Sequence, residues 1–135
     1  MKERISQKIG KIREYLSLVE QLAPDCGKKF LPDPIYRGAL LHYLYLMADT
    51  CIALAEQVIR LHSLRQPQSY HEAFDILGNA AILDPQFAYS FARIAGFRNF
   101  LAHDYEEIKA SIICNDILKQ LPEVKEFLSQ IEKTV

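Results

Sequence analysis

The sequence predicts an all-α bundle of four to five helices running up and down. Three observations point there. Apolar residues recur at steps of three and four through the long segments. No stretch alternates apolar and polar with the period of a strand. Helix-start signals open the segments: Asp33-Pro34, Ser69 with Glu72, and Asp84-Pro85.

The first helix is expected from about Glu3 to Leu22. Ile5, Ile9, Ile12, Leu16 and Val19 fall on one stripe, and Lys2, Arg4, Lys8, Lys11 and Arg13 fall largely off it. The stretch from Ala23 to Asp33, with Gly27 and two prolines, reads as a loop. A second helix should run from Pro34 to about Leu64, with Leu40, Leu44, Met47, Cys51, Leu54, Val58 and Leu61 in register. At 1.5 Å per residue it would be ~45 Å long, the spine of the bundle. Ser69 and Glu72 form a capping box for a short helix that Gly78 can end. A fourth helix starts at Asp84-Pro85 and carries Phe87, Phe91, Ile94 and Leu101 on one stripe. Its small residues Ala92, Ala95 and Gly96 permit close helix approach, and it should end near His103. The last segment, Glu106 to Val135, is apolar at Ile108, Ile112, Ile117, Leu118 and Leu121 and again at Val124, Phe127, Leu128 and Ile131. Pro122 should kink or split it.

With 135 residues, 50% of them hydrophobic and 24% charged, the chain can bury one core, so a single domain over residues 1–135 is expected. The net charge of −1 disfavours nucleic-acid binding through a large, uniformly basic surface, though not through a local cleft. Lys2, Lys8, Lys11, Lys28 and Lys29 are candidates for one. No apolar run approaches the ~20 residues of a membrane span, and the N-terminus lacks the apolar core of a signal peptide; a cytoplasmic protein is expected. Cys26, Cys51 and Cys114 are widely spaced, odd in number and without a CxxC pair. Neither a disulfide framework nor a zinc site is expected from them. No two of the four histidines share metal-ligand spacing, and no Gly-rich phosphate loop occurs. No metal or cofactor is expected.

Chemistry concentrates in Phe97-Arg98-Asn99-Phe100-Leu101-Ala102-His103-Asp104-Tyr105. Arg98 falls where the stripe of Phe91 and Ile94 would next place an apolar residue. A charge there needs solvent, an anion or a partner. Arg98 and His103 are five residues apart, ~140° around a straight helix. Either the helix loosens before His103, or the arginine of one chain assists the histidine of another across a two-fold interface. Arginine grips phosphate bidentately and histidine moves a proton near neutral pH. With a neighbouring polar group they are enough for metal-free RNA cleavage, in which the ribose 2′-OH attacks the adjacent phosphorus. A bland alternative exists: Arg98 and His103 as cations at a helix C-terminus.

These residues resemble the HEPN superfamily, marked by an arginine, four to six residues and a histidine near a helix end. The closer similarity is to the HepT group, with its Arg-x4-His-x-Tyr pattern, met here by Arg98, His103 and Tyr105. The resemblance spans roughly Lys2 to Leu121. It implies an endoribonuclease toxin that needs no metal and acts as a homodimer, with Arg98 and His103 catalytic at the dimer cleft. It implies neutralisation by an MntA-type minimal nucleotidyltransferase antitoxin, which transfers AMP from ATP to Tyr105. The substrate would be tRNA or mRNA, and a larger hetero-oligomer with the antitoxin is open. Asn99 accompanies the arginine in many HEPN proteins, and Asp49 is the nearest match to an acidic residue carried on the second helix. A second acidic position one turn later is Ala53 here, a departure from the pattern. The alternative implied by the same superfamily is a non-catalytic HEPN subunit that binds alongside a nucleotidyltransferase.

Overall fold

The computed structural model describes residues 1–104 and 107–135, and among them every regular element is helical. α1 (Lys2–Leu22) buries Ile5, Ile9, Ile12, Leu16 and Val19, the stripe read from the sequence. The expected loop is more ordered than its composition suggests. It forms a 3-10 turn at Ala23–Asp25 and a short helix, α2 (Cys26–Lys29). Tyr36 donates its hydroxyl to the carbonyl of Leu22, and Arg37 Nη1 donates to the carbonyls of Phe30 and Leu31 at 2.9 and 3.0 Å. These bonds satisfy backbone oxygens that a loop of this length leaves unpaired.

α3 (Pro34–Leu61) is the spine, 28 residues and so ~42 Å long. Asp33 caps it, accepting from the backbone N–H of Ile35 and Tyr36 at 3.1 and 3.0 Å. One 18-residue window of α3 has a mean hydropathy of 1.4, long and apolar enough to cross a membrane, which differs from the expectation that no run comes close. Half of that window is buried within the protein, where α3 packs on α1, α4 and α6. α3 ends at a left-handed residue, Ser63 (φ 54°), with Leu64 N–H bonded back to Ile59.

α4 (Tyr70–Asn79) starts as predicted, with Ser69 Oγ accepting from Glu72 N–H at 3.0 Å. The box closes one residue early, because Glu72 accepts from Gln68 N–H at 2.8 Å rather than from Ser69. Gly78 does not end this helix. The chain turns at Ala81 (φ 59°), and Gly78 is buried where α4 meets the next helix. A Cβ on Gly78 would sit 2.8 Å from that of Ala88, so the glycine is there for close approach.

The predicted fourth helix is two helices, α5 (Pro85–Phe91) and α6 (Arg93–His103), broken at Ala92. Asp84 caps α5 through Phe87 N–H at 3.0 Å. Of the small residues, Ala92 and Ala95 are buried, whereas Gly96 is exposed with open space around it. The last segment is a π-helical turn (Ile112–Ile117), a 3-10 turn (Leu118–Gln120) and α7 (Leu121–Glu132). Pro122 sits in the first turn of α7, where its missing N–H costs nothing, so it splits the segment as predicted. The bundle thus has five principal helices, α1, α3, α4, α6 and α7, among the described residues.

Phe91 stacks on Phe127 at 4.8 Å and meets Phe74 edge-on at 5.6 Å, joining α5, α7 and α4 in one aromatic cluster. Ion pairs Arg13–Glu132, Lys125–Glu20 and Arg93–Glu123 tie α7 to α1 and α6.

The cysteine expectation is corrected. Cys26 and Cys114 form a disulfide, their Cα atoms 5.6 Å apart, and Cys51 alone is free and buried. The pair lies 88 residues apart in sequence, so no local spacing announces it. The two cysteines, on α2 and the π-helical turn, are brought together by tertiary packing.

Candidate active site

Three helices converge on Arg98. Its backbone belongs to α6, and the side chain crosses to α3, where Nε donates to Asp49 Oδ1 at 2.9 Å and Nη2 donates to the hydroxyl of Tyr45 at 3.0 Å. Nη1 donates to Oδ1 of the neighbouring Asn99 at 3.2 Å. The guanidinium carbon lies 5.2 Å from the ring centroid of Tyr45 and 5.2 Å from that of Tyr70, the first residue of α4. The Arg98 side chain retains 18% of its exposure and Asp49 retains 44%. Partial burial pulls the arginine pKa down. The hydrogen bond to Asp49 and the nearby Tyr45, Asp49 and Tyr70 groups outweigh it, so the cation is held more firmly than usual.

The displaced apolar position is thereby explained. Arg98 points from its stripe into a polar notch between α3 and α4, with a carboxylate as partner. A guanidinium has five N–H donors. Asp49, Tyr45 and Asn99 engage one each. Among the described residues no other acceptor engages the guanidinium, and the remaining two donors can take a phosphate oxygen.

His103 is the last residue of α6 and is exposed. The helix stays α-helical through this position, so it does not loosen to bring His103 beside Arg98. Within one protomer the two side chains leave the axis ~140° apart. The structure gathers Arg98, Asn99 and Asp49, and leaves His103 outside that group. Tyr105, the expected site of AMP attachment, lies outside the described residues.

Sequence reasoning missed Tyr45 and Tyr70. Tyr45 lies one turn before Asp49 in α3, so an aromatic residue at that spacing from the acidic position was the available signal. Tyr70 had no such signal, since α4 reaches Arg98 only through tertiary packing. Of the candidate basic residues, Lys8 and Lys11 line a shallow groove of about 750 Å³ between α1 and α3, together with Arg4. An apolar cavity of about 160 Å³ lies beside α6, lined by Met47, Ile94, Phe97 and Val124 among others, without Arg98 or His103. Among the described residues, no three of His, Cys, Asp and Glu gather as a metal would require.

Comparison with known proteins converges on one group. The family described as Ribonuclease HepT-like matches residues 12–131. The chain is 24% identical over 132 residues to an mRNA nuclease HepT of Shewanella oneidensis, covering 98% of each protein. Its fold is similar to that of a tri-AMPylated Shewanella oneidensis HEPN toxin in complex with an MNT antitoxin, with TM-score 0.88, 24% identity and 98% and 99% of the two chains covered. It is also similar to the cytosolic Bacillus subtilis protein YutE, of unknown function, at TM-score 0.82 and 16% identity, covering 98% and 89% of the two chains. The match over nearly the whole bundle, together with the arginine and histidine of one motif on α6, places this chain in the HepT-like ribonuclease family.

Proposed function

We propose that this chain is a ribonuclease toxin of a HEPN/minimal nucleotidyltransferase toxin–antitoxin pair, a single-domain cytoplasmic protein that cleaves RNA as a two-fold dimer without a metal. The observation that carries the reading is the cradle of Arg98. A cation fixed by Asp49, Tyr45 and Asn99, with two donors that no other described residue engages, is preorganised to receive a phosphoryl oxygen. The substrate class is single-stranded RNA, with mRNA favoured by the name of the Shewanella oneidensis relative.

In this reading His103 takes the proton of a ribose 2′-OH, and the 2′-oxygen attacks the adjacent phosphorus. Arg98 stabilises the charge that builds on the phosphoryl oxygens. The P–O5′ bond breaks, leaving a 2′,3′-cyclic phosphate and a 5′-hydroxyl that takes up a proton. The ~140° between Arg98 and His103 on a regular α6 supports a shared site, in which Arg98 works with His103 of the partner subunit.

The antitoxin is an MntA-type nucleotidyltransferase, and Tyr105 is the residue that receives AMP from ATP. Each AMP adds a phosphodiester charge two residues from His103, and the tethered anion competes with RNA at ~mM effective concentration. A larger hetero-oligomer of toxin and antitoxin is compatible with this scheme.

The test joins both halves. The protein and its Tyr105→Phe variant are incubated with the neighbouring nucleotidyltransferase and ATP. Each is then weighed by intact-mass spectrometry and assayed on total RNA in chelator. Mass steps of one AMP that vanish in Tyr105→Phe, with cleavage lost on modification, are expected. Arg98→Ala and His103→Ala should each lower cleavage by ~10²–10⁴ while keeping helical circular dichroism. Cleavage at the wild-type rate in either variant would overturn the assignment.

A further inference from the structure

Two tyrosine rings lie beside Arg98, and they differ. Tyr45 is partly buried against the core and is tied to Arg98 Nη2 through its hydroxyl. Tyr70 is 39% exposed, yet Arg98 lies over its ring at 5.2 Å. One aromatic ring is thus built into the support of the arginine. The other meets the arginine and solvent at once. It stands at the first position of α4, where the Ser69 cap fixes the backbone.

We propose that Tyr70 is a nucleobase subsite: its solvent-facing ring surface stacks a base of single-stranded RNA next to the phosphate gripped by Arg98. The inference rests on the ribonuclease reading and names where that substrate is held. Unpaired bases are commonly recognised by stacking on aromatic rings, and because every base has a π-face the contact tolerates any sequence. A phosphate at the two remaining N–H donors and a base on the adjoining ring are the two halves of one nucleotide. The ring therefore favours RNA whose bases are unstacked and available over RNA held in a duplex.

The test separates stacking from support of Arg98. The full-length protein is placed in a His103→Ala background, so that it binds without cleaving. Its affinity is measured by fluorescence anisotropy for a short single-stranded RNA and for versions abasic at each position in turn. With Tyr70, one abasic position should weaken binding by about tenfold. Tyr70→Leu should weaken binding of the intact RNA by a similar factor and show no further loss at that position. Tyr70→Phe should behave as the parent, which also controls for folding of α4. An abasic penalty that is the same in Tyr70→Leu and in the parent would overturn the subsite, because the ring would then serve only to hold Arg98. So would the absence of any abasic penalty in the parent. In the histidine-intact protein, loss of cleavage activity alone, with this binding pattern kept, would count against the ribonuclease reading and not against the subsite.

Discussion

Reducing the Cys26–Cys114 disulfide is expected to lower stability substantially and to leave the fold in place. The cross-link closes a loop of 88 residues. For that length the chain-entropy relation gives ~15 cal/mol/K, or ~4.6 kcal/mol at 25 °C, mostly by restricting the unfolded chain. Measured disulfides deliver about 2–4 kcal/mol, so ~3–4 kcal/mol is the working expectation. With a urea slope near ~1.5 kcal/mol/M, the unfolding midpoint should fall by about 2 to 3 M on reduction or in Cys114→Ser. Native packing should change little, because α1 and α3 pack on each other along a stripe of buried apolar residues that does not include either cysteine of the bridge. Thiol titration checks the premise. Of the three cysteines, two are paired and Cys51 is buried, where burial pushes its thiol far above the ordinary range. Oxidised native protein should therefore show no reactive thiol, and the same sample should show one when unfolded and three after reduction. Three thiols in the unreduced, unfolded chain, or a midpoint shift below about 0.5 M, would refute the reasoning.

Other outcomes follow from local geometry. Ser63→Gly and Ala81→Gly should each raise stability by ~0.5–1 kcal/mol, read from urea melts, because both residues occupy left-handed backbone that glycine adopts freely. Gly78→Ala should cost ~1–3 kcal/mol, since its new Cβ would press on that of Ala88 at 2.8 Å. Bonds from Gln68 N–H and Arg65 hold the Glu72 carboxyl below its ordinary range, so its contribution is present above the unfolded pKa and is lost as pH falls through the folded one. Glu72→Gln should thus melt lower than the parent at neutral pH, with the gap closing in acid below about pH 4. Asp49→Ala should slow RNA cleavage by ~10–100-fold with helicity intact, because Arg98 loses the acceptor that aims it; an unchanged rate would remove Asp49 from the site.

Most of the helical framework was legible. The stripe of Ile5 to Val19 and the Asp33, Ser69 and Asp84 caps all act as their residue types dictate, because periodicity and capping are local. The misreadings share a cause. The break at Ala92 leaves apolar spacing almost undisturbed, so nothing in the pattern marks it. Gly78 looked like a terminator because its close approach to Ala88 depends on a different helix. The disulfide depends on two segments 88 residues apart. Within the candidate site, the motif pointed to Arg98 and His103, and Asp49 came only from the family resemblance. The direction of the guanidinium and its two tyrosines came only with tertiary packing.

The cradle of Arg98 also has a consequence for synthesis. The parts that reach it from other helices begin 53 residues earlier in sequence, at Tyr45 on α3. A ribosome delivers Tyr45, Asp49 and Tyr70 first, and the arginine only after all three. Until α6 has emerged, the nascent chain carries the acidic and aromatic parts without their cation. A chain truncated anywhere before position 98 lacks the guanidinium, so the cradle is completed late, with the docking of a single helix.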